Sequence, residues 1–256
     1  MNKLLLSLIF ILSLNIAFGQ FKQIQTEDGD KCGYDPVKDA ELLDLYGKNW
    51  GYGYDDLLDD IAEWEQSDYI QVQSIGQSTL GREMYELTIT NFDPVKTLKH
   101  RIYIHVRTHP NEVQSFRVAD EIINYLSAEN GIGNYLRDLC IFHIVPMYNP
   151  DGVELEYPRE NANGVDIESN WNAATPEIEV QNLRARFEEL MLEDNPVEVA
   201  LNMHSAHECN RFFWVHHANG TSALYYGLEE DFVESIRSHF LEGIMPFDSH
   251  VSWSGG

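Results

Sequence analysis

The stretch YIHVRTHPNEVQSF, residues 103 to 116, sets the reading of the whole chain. With Arg101 and Ile102 before it, its first part is short, β-branched and aromatic, as a buried strand should be. The apolar run stops at His109, and a glutamate follows three positions later. Beyond that pair, Val113, Phe116, Ala119, Ile122, Ile123 and Leu126 recur at helical spacing. A strand that passes through a tight turn can aim His109 and Glu112 at one point, and so supply two ligands of a metal. The plainer reading is an ordinary helix start. Pro110 would take the first helical position, where its missing N–H costs nothing, and Glu112 the first turn, where a carboxylate suits the helix dipole. The pair therefore needs support from elsewhere in the chain.

Working outward, the same pattern returns. LCIFHIVPMY (139–148) reads as a second buried strand, ending at NPDG, a strong turn signal. VEVALNM (197–203) reads as a third, and it too stops at a histidine, His204. Upstream, YIQVQSIGQSTLGREMYELTIT (69–90) alternates apolar and polar residues on both sides of a Gly-containing segment, the pattern of a β-hairpin. Helical spacing of Leu57, Leu58, Ile61 and Trp64 predicts a helix over 54–65, with a shorter candidate over 40–46. TPEIEVQNLRARFEELML (175–192) predicts another, with Thr175 as N-cap and Pro176 at the first position, and a last one is expected over 223–241.

Strands alternating with helices imply an α/β layer fold with a mostly parallel sheet. In such sheets ligands gather at the carboxyl ends of strands. His109 and Glu112 follow one strand and His204 another, so the fold rule brings the three together. Two histidines and a carboxylate make a three-ligand zinc site that leaves a fourth position for water. His207, His216 and His217 compete for the third place; His204 is preferred because it directly ends a strand.

Of the 256 residues, 43% are hydrophobic, enough for one substantial core. Lys and Arg number 17 against 42 Asp and Glu, and the net charge of -25 argues against nucleic acid and anionic membranes as partners. MNKLLLSLIFILSLNIAFGQ (1–20) has a lysine, an apolar run and then Ala17-Phe18-Gly19, which predicts a signal peptide cleaved near Gly19. The run is too short for a lasting membrane span. The expected organisation is a leader over 1–19, an N-terminal segment over 20–53 and one domain over 54–256, secreted or periplasmic. Three cysteines, Cys32, Cys140 and Cys209, leave at least one unpaired, at spacings unlike a zinc knuckle.

The ordered set IGQSTLGRE, HPNE, NPDG, RENANGVDIESNW, PEIEV and LNMHS resembles the zinc metallocarboxypeptidases of the carboxypeptidase A and B type, from about Tyr54 onward. The resemblance implies a mixed, largely parallel central sheet with helices on both faces. It also implies one Zn2+ held by His109, Glu112 and His204, and a peptide or protein substrate. Arg159 is similar to the family arginine that polarises the scissile carbonyl and stabilises the oxyanion, a task suited to an always-charged planar fork. Without the resemblance, Arg159 reads as a surface arginine in a turn.

Two departures stand out. Where the family carries Asn-Arg to grip the terminal carboxylate of a peptide, this chain has Glu168 and Ser169 in DIESNW. A lost cation and a gained carboxylate should repel a free C-terminus. Either Glu168 favours a basic or amine-bearing group, or the anchor lies elsewhere, for example at Arg211; a salt bridge at the rim is the plainer role for Glu168. Second, the family's general-base glutamate comes from a strand well after the third ligand, and this sequence ends at SHVSWSGG, with Val251 about where many members have a substrate-binding tyrosine. The expectation is a fragment that stops before the base, with the sheet incomplete on that side. The alternative is a protein without the usual proton shuttle, with Glu168 or Glu208 as substitutes. Three functions follow: a zinc metallopeptidase, a zinc amidase acting on non-standard peptides such as cell-wall stems, or a zinc-binding module that recognises peptides without cutting them.

Overall fold

The computed structural model describes residues 48–92, 98–205, 213, 215–216, 218–238 and 250–251. The chain divides into two compact units, one of residues 39–205 and one of residues 1–38 with 206–256. In the first unit, helix α1 (Tyr54–Trp64) precedes the hairpin β1 (Ile70–Gln77) and β2 (Glu83–Ile89). Strand β3 (His100–Val106) leads to α2 (Val113–Ser127) and α3 (Gly131–Leu139), then to β4 (Cys140–Val145). The short helix α4 (Pro150–Glu154) and the longer α5 (Ile178–Met191) connect β4 to β5 (Val197–Met203).

The five strands are ordered β1-β2-β4-β3-β5. Strand β3 runs parallel to β4 and β5, while β2 is antiparallel to both β1 and β4. The hairpin needs only a tight turn, whereas each parallel pair needs a crossover, which the helices supply. The result is the expected α/β layer with a mixed sheet.

Successive side chains of β3 point to opposite faces. Tyr103 packs edge-on against Phe187 of α5, with ring centroids 5.5 Å apart, in a core with Met84, Val145, Tyr148, Val180, Leu183 and Leu190. On the other face lie Ile102, Ile104 and Val106, on the side where α2 buries Phe116, Ala119, Ile123 and Leu126. Helices therefore cover both faces, and each large apolar side chain buried there contributes about 1.5–3 kcal/mol.

Buried charge also ties α5 to the sheet. Glu86 of β2, fully buried, accepts from Arg186 Nη2 at 2.8 Å and lies 3.0 Å from His143 Nδ1. Burial lowers the pKa of His143 despite the Glu86 hydrogen bond, so the ring is neutral. Its Nδ1–H donates to Glu86, and its Nε2 accepts from Arg101 Nη1 at 2.7 Å.

Several boundaries differ from expectation. Helix α3 went unforeseen, because GIGNYLRDL holds two glycines; Asn130 starts it by accepting from the Gly133 N–H at 2.6 Å. NPDG opens the one-turn helix α4, capped by Asn149, where a simple turn was expected. Helix α5 begins at Ile178 with Glu177 at its cap, so Thr175 and Pro176 precede it; the Glu177 N–H finds its acceptor in Asn170 Oδ1. Cys140 is buried and free. The leader, the 40–46 candidate, Cys32 and Cys209 lie outside the described residues. No helix among the described residues is long and apolar enough to cross a membrane.

The second unit contains β6 (Val215–His216) paired in parallel with β7 (His250–Val251), and helix α6 (Ala223–Arg237). Ser222 caps α6 as a serine should, accepting from the Tyr225 N–H at 3.1 Å.

Candidate metal centre

Strands β3 and β5 are parallel neighbours in which Val106 pairs with Met203. Whatever follows these residues must emerge side by side at one end of the sheet. His204 comes one residue after β5 and His109 three after β3, and their rings lie with centroids 4.8 Å apart. Thr108 Oγ1 donates to Asn202 Oδ1 at 2.9 Å, fixing one segment against the other. Arg107 takes a left-handed backbone angle, φ 57°, which turns the chain out of the strand. Such a conformation is uncommon for a non-glycine residue and tends to occur at functional sites.

The HPNE segment closes on itself through the Glu112 N–H, which donates to the His109 carbonyl at 3.1 Å. Glu112 is then the N-cap of α2, which begins at Val113, so Pro110 lies in the turn and outside the helix. The Ser115 hydroxyl donates back to the Glu112 carbonyl at 2.7 Å, and the Ser115 N–H reaches Ser205 Oγ at 3.2 Å. The side chain of Glu112 bridges both imidazoles: Oε1 is 3.0 Å from His109 Nδ1, and Oε2 is 2.8 Å from His204 Nδ1. The Ser205 N–H also donates to Oε2, at 3.2 Å.

A second pair of carboxylates meets the opposite edge of the rings. Glu168 Oε2 is 3.2 Å from His109 Nε2 and its Oε1 is 3.2 Å from His204 Nε2, while Asp166 Oδ1 is 3.4 Å from His109 Nε2. These are ion-pair distances without hydrogen-bond alignment, so both Nε2 atoms are buried polar atoms with no hydrogen-bond partner. His109, His204 and Glu168 can each offer one ligand atom, all within 4.8 Å of one another.

The electrostatics follow. Burial pushes His109 and His204 down, but the hydrogen bonds to Glu112 and the carboxylate of Glu168 3.2 Å from each ring outweigh it and raise both to about 9. Burial pushes Glu112 up, yet His109 and His204 bring it down to about 2. Glu168 is held well below the usual carboxylate range by His109 and then His204.

The loop after α4 is what carries Asp166 and Glu168. Ile167 between them is fully buried in the core, and the turn closed by the Glu168 N–H donating to Asp166 Oδ1 at 3.1 Å leaves both acids at the site. Farther back, buried Asn161 accepts from the Asn163 and Val165 N–H groups and donates to Glu177 and Glu179. Asn149 Nδ2 joins the two halves of the site, donating to the carbonyls of Thr108 at 3.3 Å and Glu160 at 3.2 Å. Asp151, also buried, accepts from Ser78 Oγ, the Leu80 N–H and Arg82, which links the SIGQSTLGRE hairpin turn to NPDG.

A model of the zinc carboxypeptidase family matches residues 54–235, the span that holds this whole arrangement. The chain belongs to the zinc carboxypeptidase family. Among curated relatives, mouse cytosolic carboxypeptidase 6 is 34% identical over 119 residues, covering 46% of this chain and 22% of that protein. Cytosolic carboxypeptidase 2 of Xenopus tropicalis is 30% identical over 129 residues, covering 48% and 13%. A Pseudomonas aeruginosa metallo-carboxypeptidase, solved with (2-guanidinoethylmercapto)succinic acid, superposes with a TM-score of 0.65 at 18% identity over 79% of this chain and 53% of that one. At that identity the likeness is one of fold. The chain thus spans less than a quarter of these curated relatives and about half of the solved structure.

Within this zinc carboxypeptidase domain, the structure brings His109, Glu112, His204, Arg159 and Glu168 together. Arg159, with half of its side chain exposed, donates through Nε and Nη2 to Asp166 Oδ2 at 3.2 and 2.9 Å, and Nη2 lies 3.4 Å from Glu168 Oε2. The Ser169 hydroxyl turns back to the Asp166 carbonyl at 3.2 Å. Arg211, His207, His217 and Glu208 lie outside the described residues, and His216 pairs with Glu229 at 2.7 Å in its own unit. Asp166 was missed by sequence reasoning, because a turn over residues 166–169 and no strand periodicity brings it beside Glu168.

Proposed function

We propose that this chain is the metal-holding part of a zinc-dependent peptidase that hydrolyses an amide bond at the end of the parallel strands, with His109, Glu112 and His204 holding the zinc. The supporting observation is the convergence of two strand-end imidazoles on one carboxylate, whose oxygens lie 3.0 and 2.8 Å from the two Nδ1 atoms. The donor set fits zinc, which favours imidazole nitrogen and carboxylate oxygen. Only one edge of each ring can face an ion. Glu112 is the better ligand of the two candidates, because its side chain is 12% exposed against 33% for Glu168 and a backbone N–H fixes it. Asp166 and Glu168 then act on the opposite edges as orienting carboxylates, a pairing that sets the tautomer of metal-bound histidines.

Zinc held there supplies a Lewis acid and lowers the pKa of a bound water to about 7. In the net reaction the hydroxyl of water joins the acyl carbon, the C–N bond breaks, and the departing nitrogen takes up a proton. Arg159, whose Nη2 lies 2.9 Å from Asp166 Oδ2, would serve as the guanidinium that stabilises negative charge developing on the carbonyl oxygen. Zinc content of the purified chain tests the reading, alongside His109→Ala and His204→Ala. About one zinc per chain, lost in both variants, is expected; a folded wild-type chain that takes up none would overturn it.

A further inference from the structure

Resting on the zinc reading above, we propose that Glu168 makes this a site for substrates carrying a cationic amine close to the scissile amide, and excludes those presenting a free terminal carboxylate there. Three carboxylates, those of Glu112, Asp166 and Glu168, surround the two imidazoles, and Arg159 is the guanidinium placed among them. With a divalent ion bound, the metal and Arg159 together balance the three carboxylates, so among the described residues of the site no net positive charge remains to hold a substrate anion. Arg159 is itself committed to two of those carboxylates. Ser169, the neighbour of Glu168, offers only a hydroxyl, and that hydroxyl is spent on the Asp166 carbonyl.

Glu168 is also accessible to a ligand. A third of its side chain is exposed, unlike that of Glu112, and it stands across the width of the imidazole rings from the Nδ1 edge. Glu168 meets His109 Nε2 and His204 Nε2 at 3.2 Å each and Arg159 Nη2 at 3.4 Å, and its exposed third leaves room for one further cationic group. A substrate ammonium at this place gains a charge partner, and a carboxylate meets like charge. The net charge of -25 acts in the same direction at long range, drawing cations toward the chain.

The test uses two hydroxamates that chelate zinc through the same group and differ only in the tail. β-Alanine hydroxamate ends in an ammonium, succinic acid monohydroxamate in a carboxylate. Their affinities for the zinc-loaded full chain are measured by calorimetry at neutral pH, for wild type, Glu168→Gln and the charge-keeping Glu168→Asp. The wild type should prefer the ammonium probe by about tenfold or more, as a partly screened unit charge at close range gives. Glu168→Gln should erase or reverse that preference, and Glu168→Asp should retain it. Equal affinities in the wild type, or a ratio unchanged in Glu168→Gln, would overturn the inference. Loss of zinc from Glu168→Gln with retention in Glu112→Gln would overturn it too, by making Glu168 a ligand. A wild-type chain that binds no zinc fails before either probe is added, and refutes the metal reading together with this one.

Discussion

Replacing Glu112 by glutamine, which keeps the shape and removes the charge, separates the two carboxylates that contact the histidines. In the metal-free protein, Glu112 links both Nδ1 atoms at 3.0 and 2.8 Å and is 12% exposed, so a cation bound on that edge faces a largely desolvated negative charge. Removing one partner of such a buried pair costs about 3–5 kcal/mol. At about 1.4 kcal/mol per tenfold, Glu112→Gln should weaken zinc binding by between two and nearly four orders of magnitude. Glu168→Gln, altering an orienting group, should cost about 10–100-fold. Competition with a chromophoric chelator at pH 7.5 measures both, with circular dichroism showing that each variant is folded. If Glu168→Gln loses more affinity than Glu112→Gln, the ion sits on the Nε2 edges and the assignment of Glu112 as ligand is refuted.

Two further outcomes follow from the same coordinates of charge and space. His109 and His204 are raised to about 9 in the metal-free fold against an ordinary value near 6.5, so the folded state holds extra protons between these pH values and loses stability as pH rises through about 9. Zinc requires both rings neutral at the coordinating edge, so the melting temperature gained on adding zinc should widen from pH 6.5 to 9; a gap that is constant or narrows counts against the ligand set. Gly152 sits where a Cβ would press on the Glu160 carbonyl and come within 2.6 Å of Pro110 Cγ, between the HPNE turn and the Arg159 loop. Gly152→Ala should therefore cost about 1–3 kcal/mol in denaturant unfolding and weaken zinc binding as well, whereas an unchanged midpoint would show that the loop yields freely.

The strand-to-histidine signals were legible because they are local. An apolar β-branched run bounded by a turn has few ways to fold, and β3 and β5 lie where their apolar runs put them, as the hairpin lies where alternation does. Helix α2 was equally plain from its 3.6-residue stripe. Helix α3 was not, because glycines at 131 and 133 weaken its propensity and packing against α2 and β4 overrides that weakness. The pairing of His109 with His204 followed from the rule that parallel strands share their ligand end, and that rule needs only strand identity.

What the sequence could not contain is which edge of each ring meets which acid. Asp166 and Glu168 lie more than fifty residues from His109 in the chain, and they reach it only because Ile167 is drawn into the core and Asn149 and Asn161 pin the loop. The residue types, the strand ends and their order are properties of local pattern, so the sequence by itself determined an α/β sheet with two histidines and a glutamate at one end. The charge balance among the described residues of the site depends on long-range packing that holds Glu112, Asp166, Glu168 and Arg159 around those histidines, and only the tertiary structure decided it.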